Sequence, residues 1–127
     1  MFSKIMLVIR KNLKRSFDEK SDITITDLQK LQKEGAIIID VRSPQEFKEE
    51  HINGAICIPE YEIKKKSKEL LKDKNENIVV YCSSGSRSKK AQKQLERLGY
   101  INVYNLYNGL EEWYNYNSSL QYNDFRS

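Results

Sequence analysis

The stretch "NIVVYCSSGSRSKKAQKQLERLG", Asn77 to Gly99, decides the fold. Its opening residues, Asn77 to Cys82, form an almost unbroken apolar run of strand length, as expected for a strand covered on both faces. Four small residues and Arg87 follow Cys82, and then Ala91, Leu95 and Leu98 recur at i, i+4 and i+7 before Gly99. That spacing is helical, and the glycine marks the C-terminal stop. A strand therefore turns into a helix through a short small-residue loop.

The same alternation extends to both sides. "AIIIDV", Ala36 to Val41, reads as a second buried strand, and Ser43-Pro44-Gln45-Glu46 follows it with a capping serine, proline at the first helical position and glutamate at the third. "GAICIP", Gly54 to Pro59, reads as a further buried strand, and Glu60 to Leu71, with Ile63, Leu70 and Leu71, as a lysine-rich surface helix. Upstream, Thr26 is positioned to cap a short helix carrying Leu28 and Leu31, with Gly35 as its stop. Downstream, Ile101 to Leu106 supplies another strand and "NGLEEWY" opens a last short helix. Strands alternating with helices predict an α/β fold: one domain with a mostly parallel central sheet of about five strands and helices on both faces. The expected organisation is a basic N-terminal arm (1–21), a folded domain (22–114) and a polar tail (115–127) that lacks any period and is mobile or packs only locally.

Composition narrows the function classes. A chain of 127 residues with 39% apolar content, and no apolar run near the ~20 residues of a membrane span, predicts one soluble domain with one core. Its two cysteines, Cys57 and Cys82, without a secretory signal pattern, point to a reducing compartment, the cytoplasm by default. The net charge of +4 is no sign of nucleic acid. Lys4, Arg10, Lys11, Lys14, Arg15 and Lys20 against Asp18 and Glu19 account for all of it, so the remainder of the chain is neutral. The arm joins a short apolar patch, Ile5 to Ile9, to a basic stretch; this suits packing on the domain or weak contact with an anionic membrane.

Ligands of open α/β sheets collect outside the carboxyl ends of the strands. Cys82 closes its strand at that edge and sits just before a helix, where unpaired N–H groups and the dipole favour a thiolate over a thiol. Ser83, Ser84 and Ser86 are small, and Gly85 can adopt positive φ to turn an N–H inward, so the loop reads as a backbone cradle for an anion. Arg87 adds a forked cation, and Arg42 also follows a strand's carboxyl end. Neither a metal nor a cofactor is expected, because His51 is the lone histidine and no cysteine pair has ligand spacing. His51 itself reads as a structural loop residue, and Trp113 as a core anchor.

"DVRSPQEFKEEHINGAICIP", Asp40 to Pro59, and "VVYCSSGSRSKKAQKQLERLGYINVYNLYNGLEEW", Val79 to Trp113, resemble in order the motifs of single-domain rhodaneses. The resemblance implies a rhodanese-like sulfurtransferase in which Cys82 takes sulfur from thiosulfate or a similar small anionic donor. The resulting persulfide then passes that sulfur to an acceptor protein or a small thiol. It implies that loop N–H groups from Ser83 to Arg87 hold the persulfide and that Arg42 and Arg87 favour anionic donors. A cysteine-based phosphatase or arsenate reductase of the same superfamily is one alternative, but phosphatase loops look like Cys-x5-Arg, whereas Cys82 to Arg87 is Cys-x4-Arg, a loop better sized for one sulfur. A docking module without catalysis is the other alternative, and Cys82 argues against it. Glu50 replaces a glycine of the pattern, Tyr107-Asn108 replace small residues, and Cys57 stands where asparagine is common. Cys57 reads first as a strand cysteine packed in the core; the alternative is a redox partner near the same sheet edge that resolves a Cys82 persulfide into a disulfide.

Overall fold

Three isoleucines in succession, Ile37 to Ile39, can all be buried only in a strand with protein on both sides. In the computed structural model, which describes residues 16–126, they lie in β2 (Ile37–Asp40). Ile39 faces one apolar cluster and Ile38 the other. β2 pairs in parallel with β4 (Ile78–Tyr81) from Ile37↔Ile78 to Asp40↔Tyr81. β5 (Val103–Leu106) flanks β4, and β1 (Asp22–Ile23) and β3 (Ile56–Cys57) form the edges. The five strands run in the order β1-β5-β4-β2-β3, and every pairing is parallel.

Helices cover both faces, as the alternation of elements predicts. α3 (Ile63–Leu70) and α4 (Ser86–Arg97) bring Ile63, Ala91 and Leu95 onto Ile39, Val80 and Cys82. On the other face α1 (Ile25–Lys33) and α5 (Gly109–Arg126) bring Leu28, Leu110 and Trp113 onto Ile38, Val79 and Leu106. Leu28 and Leu95 are wholly buried, and each such side chain stabilises the fold by about 1.5–3 kcal/mol. α2 (Pro44–Glu49) buries no residue; the Ser43–Glu46 capping box starts it as its sequence predicts, just beyond the end of β2. No helix among the described residues is long and apolar enough to cross a membrane.

Several local expectations are corrected. Thr24, not Thr26, caps α1: its side chain accepts from Asp27 N–H while the Asp27 carboxylate accepts from Thr24 N–H, leaving Ile25 free to be buried. "GAICIP" contributes only the two residues of β3, and Ile56 is 38% exposed, because this strand hangs on the outside of β2. The segment from Glu60 begins as a 3-10 turn (Glu60–Glu62) before α3. The tail is helical as far as Arg126, with Tyr116 packed against the α1 side of the core. The basic arm lies mostly outside the described residues, which begin at Ser16.

Candidate active site

The strand order decides where a site can form. From β2 the chain moves outward to β3, and from β4 it moves the opposite way to β5, so β2 and β4 flank a topological switch point. Crevices at the carboxyl ends of such strands are where open α/β sheets hold ligands. Arg42 and Cys82 leave the sheet at this point.

Cys82 is 1% exposed, and its sulfur takes the place of a helix cap. Gly85 N–H donates to Sγ at 3.1 Å and Ser88 N–H at 3.4 Å, while Ser88 Oγ lies 3.3 Å away. Gly85, at φ +96°, makes the turn that returns the chain toward the sulfur. Among the described residues, the N–H groups of Ser83, Ser84, Ser86 and Arg87 make no hydrogen bond, so four donors of the loop remain open. The carbonyls on the other side of the loop are tied down: Leu110 N–H donates to Cys82 O at 2.8 Å and Glu111 N–H to Ser83 O at 3.2 Å. The cysteine thus lies between two helix N-termini, one facing its sulfur and the other its carbonyl. Gly109 permits the second contact, because a Cβ there would stand 2.7 Å from Ser83 O and closer still to Cys82 O.

Both arginines are held by carboxylates. Arg42 is buried with its fork on Asp40, Nη2 to Oδ2 at 2.8 Å, and it also donates to Glu50 O. Asp40 is itself fully buried and needs that partner. Arg87 makes two bonds to Glu46, at 3.0 and 3.2 Å, and a longer one to Ser83 Oγ at 3.4 Å. The Arg87 guanidinium, with help from Ser43, lowers the Glu46 carboxyl to about 2. Ser84 and Ser86 complete the loop between these anchors.

Behind the loop, fully buried Asn105 donates to Asp22 Oδ1 at 3.1 Å and reaches Gly85 O at 3.5 Å. Lys89 joins this group, 3.5 Å from Asp22 Oδ1 and 2.6 Å from Ser21 Oγ. In front of it, a cleft of about 200 Å³ opens over Ser83, lined by Arg42, Leu110, Tyr114 and the carboxylates of Glu46, Glu49, Glu50 and Glu111. Burial and the Glu50 carboxylate push the Tyr114 phenol up to about 12.

The structure does not bring the two remaining candidates to the sulfur. His51 stacks on Phe47 at 3.7 Å and donates from Nδ1 to Phe47 O. Cys57 is in register with Asp40, and Asp40 with Tyr81, so Cys57 shares the face of Tyr81 while Cys82 belongs to the opposite core. Two strand spacings, about 9–10 Å, also exceed the roughly 7 Å that a disulfide can bridge. Cys57 is therefore not placed to resolve a Cys82 persulfide, and burial pushes its thiol up. Ser88, Asn105 and the abutment of Gly109 are the site features that sequence reasoning missed. A serine directly after Arg87 was the only local signal for the first.

Comparison with known proteins finds relatives by sequence and by fold. The family model described as "Rhodanese-like domain" matches residues 24–116. Thiosulfate sulfurtransferase PspE of Escherichia coli is 42% identical over 67 residues, 53% of this chain and 64% of PspE. The putative sulfur carrier protein YrkF of Bacillus subtilis is 31% identical over 110 residues, 83% of this chain and 58% of YrkF. The chain thus spans less than two thirds of the length of either relative. Among solved structures, the human single-domain sulfurtransferase TSTD1 superposes with a TM-score of 0.68 at 25% identity, over 74% of this chain and 95% of that one.

Proposed function

Because the chain belongs to the rhodanese-like domain family, we propose that it moves sulfane sulfur from a donor such as thiosulfate to a thiophilic acceptor through a Cys82 persulfide. The observation that carries this reading is the Cys82 sulfur accepting hydrogen bonds from Gly85 and Ser88 N–H at the start of α4. Donors so placed interact favourably with negative charge on the Cys82 sulfur as it attacks a donor and again as it leaves the persulfide. The Cys82 thiolate attacks the outer sulfur of thiosulfate, the S–S bond of the donor breaks, and sulfite departs with the bonding pair. An acceptor nucleophile then attacks the outer sulfur of the persulfide and returns Cys82 to thiolate. The open N–H groups of Ser83, Ser84, Ser86 and Arg87 suit the second sulfur, while Arg87, tied to Glu46, braces the loop.

The names of PspE and YrkF support a sulfur donor on one side and an acceptor protein or small thiol on the other. Two free cysteines support a reducing compartment, the cytoplasm. The test is intact mass after incubation of the reduced protein with thiosulfate and removal of the donor. One added sulfur that cyanide removes as thiocyanate is expected in the parent chain and not in Cys82→Ser. A folded parent chain that gains no sulfur from thiosulfate or from a neutral polysulfide overturns the reading.

A further inference from the structure

The cleft over Ser83 presents four carboxylates, Glu46, Glu49, Glu50 and Glu111, and one arginine, Arg42. Neither nearby arginine offers a free cation to this space. Arg42 is buried on Asp40, and Arg87 is forked onto Glu46. Glu49, Glu50 and Glu111 are exposed at the rim, and no ion pair neutralises them among the described residues. These charges lie beside a reactive centre, since Ser83, which also lines the cleft, directly follows the buried Cys82 in the chain.

A cleft lined by one sign of charge raises the local concentration of the opposite sign and slows the entry of its own. We propose that this acidic mouth selects, as exchange partners of Cys82, thiols that carry positive charge or stand among positively charged groups, and makes free dianions such as thiosulfate slow donors. The proposal rests on the sulfurtransfer reading. In the step concerned, an incoming thiolate attacks the outer sulfur of the protonated persulfide, the S–S bond breaks, and Cys82 leaves as thiolate. The product is the acceptor's persulfide, and no oxidant or reductant is consumed.

The test loads Cys82 with sulfur and follows single-turnover loss to cysteamine, 2-mercaptoethanol and 2-mercaptoethanesulfonate, with each rate expressed per thiolate. The cationic thiol is expected to exceed the anionic one by roughly tenfold at low salt, and the ratio to collapse toward unity near ~1 M salt. In the Glu49→Gln/Glu111→Gln double variant the low-salt ratio is expected to drop to about threefold or less. A parent ratio at or below one, or a ratio the double variant leaves unchanged, overturns the proposal. A peptide with its cysteine between lysines should likewise outrun one with its cysteine between glutamates; the reverse order also overturns it. The mouth can be read without any sulfur transfer, by modifying Cys82 in a Cys57→Ser chain with methanethiosulfonates bearing trimethylammonium or sulfonate. A cation-to-anion rate ratio above that of the same reagents on free 2-mercaptoethanol, and lowered in the Glu49→Gln/Glu111→Gln variant, supports the charge rule even if no persulfide forms. A ratio at or below the free-thiol value refutes it even if one does.

Discussion

Glu46 serves two masters at the residue scale. It closes the capping box of α2 by accepting from Ser43 N–H, and it receives both arms of Arg87 from the loop beyond Cys82. Its carboxyl stands at about 2 in the folded chain against 4.5 ordinarily, so its stabilising effect is complete above pH 4.5 and fades as the pH falls toward 2. Both partners are more than a third exposed, at 41% and 35%, so screening limits the pair to about 1 kcal/mol or less. Urea midpoints of the parent chain and Glu46→Gln should therefore differ most at neutral pH and converge on acidification; a gap independent of pH would refute the linkage. Cys82 and the candidate loop were legible in the sequence because a strand end, small residues and a helix start follow one another. The bond from Ser88 was not, because it depends on how far the turn at Gly85 brings the helix back to the sulfur. A pairing of Arg42 with Asp40, two residues away, was open to the sequence, but that of Arg87 with Glu46, 41 residues away, was not.

Elements legible from local pattern were those whose neighbours reinforce it. β2 and β4 are central and carry their apolar runs, and the capping box begins α2 where its residues predict. β3 departed because an edge strand has one partner and one exposed side, a fact of topology rather than composition. α5 departed because packing of Trp113 and Tyr116 outweighs the poor helix propensity of an asparagine-rich segment. The start of α5 also sets the loop, since it binds the carbonyls of Cys82 and Ser83. Gly109→Ala would drive a methyl group into that backbone at a residue with φ +61°, which is expected to cost about 2 kcal/mol or more. Thermal unfolding should show the loss, and persulfide formation at Cys82 should slow; an unshifted melt with unchanged loading would mean that the contact is not needed.

For the molecule as a whole, the α/β class and the parallel sheet were legible, whereas the role of the residues ahead of the matched family region was not. Phe17 packs edge-on to Tyr107 at 5.1 Å, Ser21 binds Lys89, and Asp22 binds Asn105 behind the loop, yet the family match begins at residue 24. A chain beginning at Ser16 is expected to melt within a few degrees of the parent and to load sulfur. One beginning at Thr24 loses the buried partner of Lys89 and Asn105 and should melt about 10 °C lower. Equal melting of the two would show that β1 is dispensable. The shortness of β1 and β3 has its own consequence. Each edge of the sheet is two residues long, so neither presents the ladder of unpaired amides on which a foreign strand could grow. Concentrated solutions of the folded chain are thereby guarded against polymerisation through the described edges of the sheet.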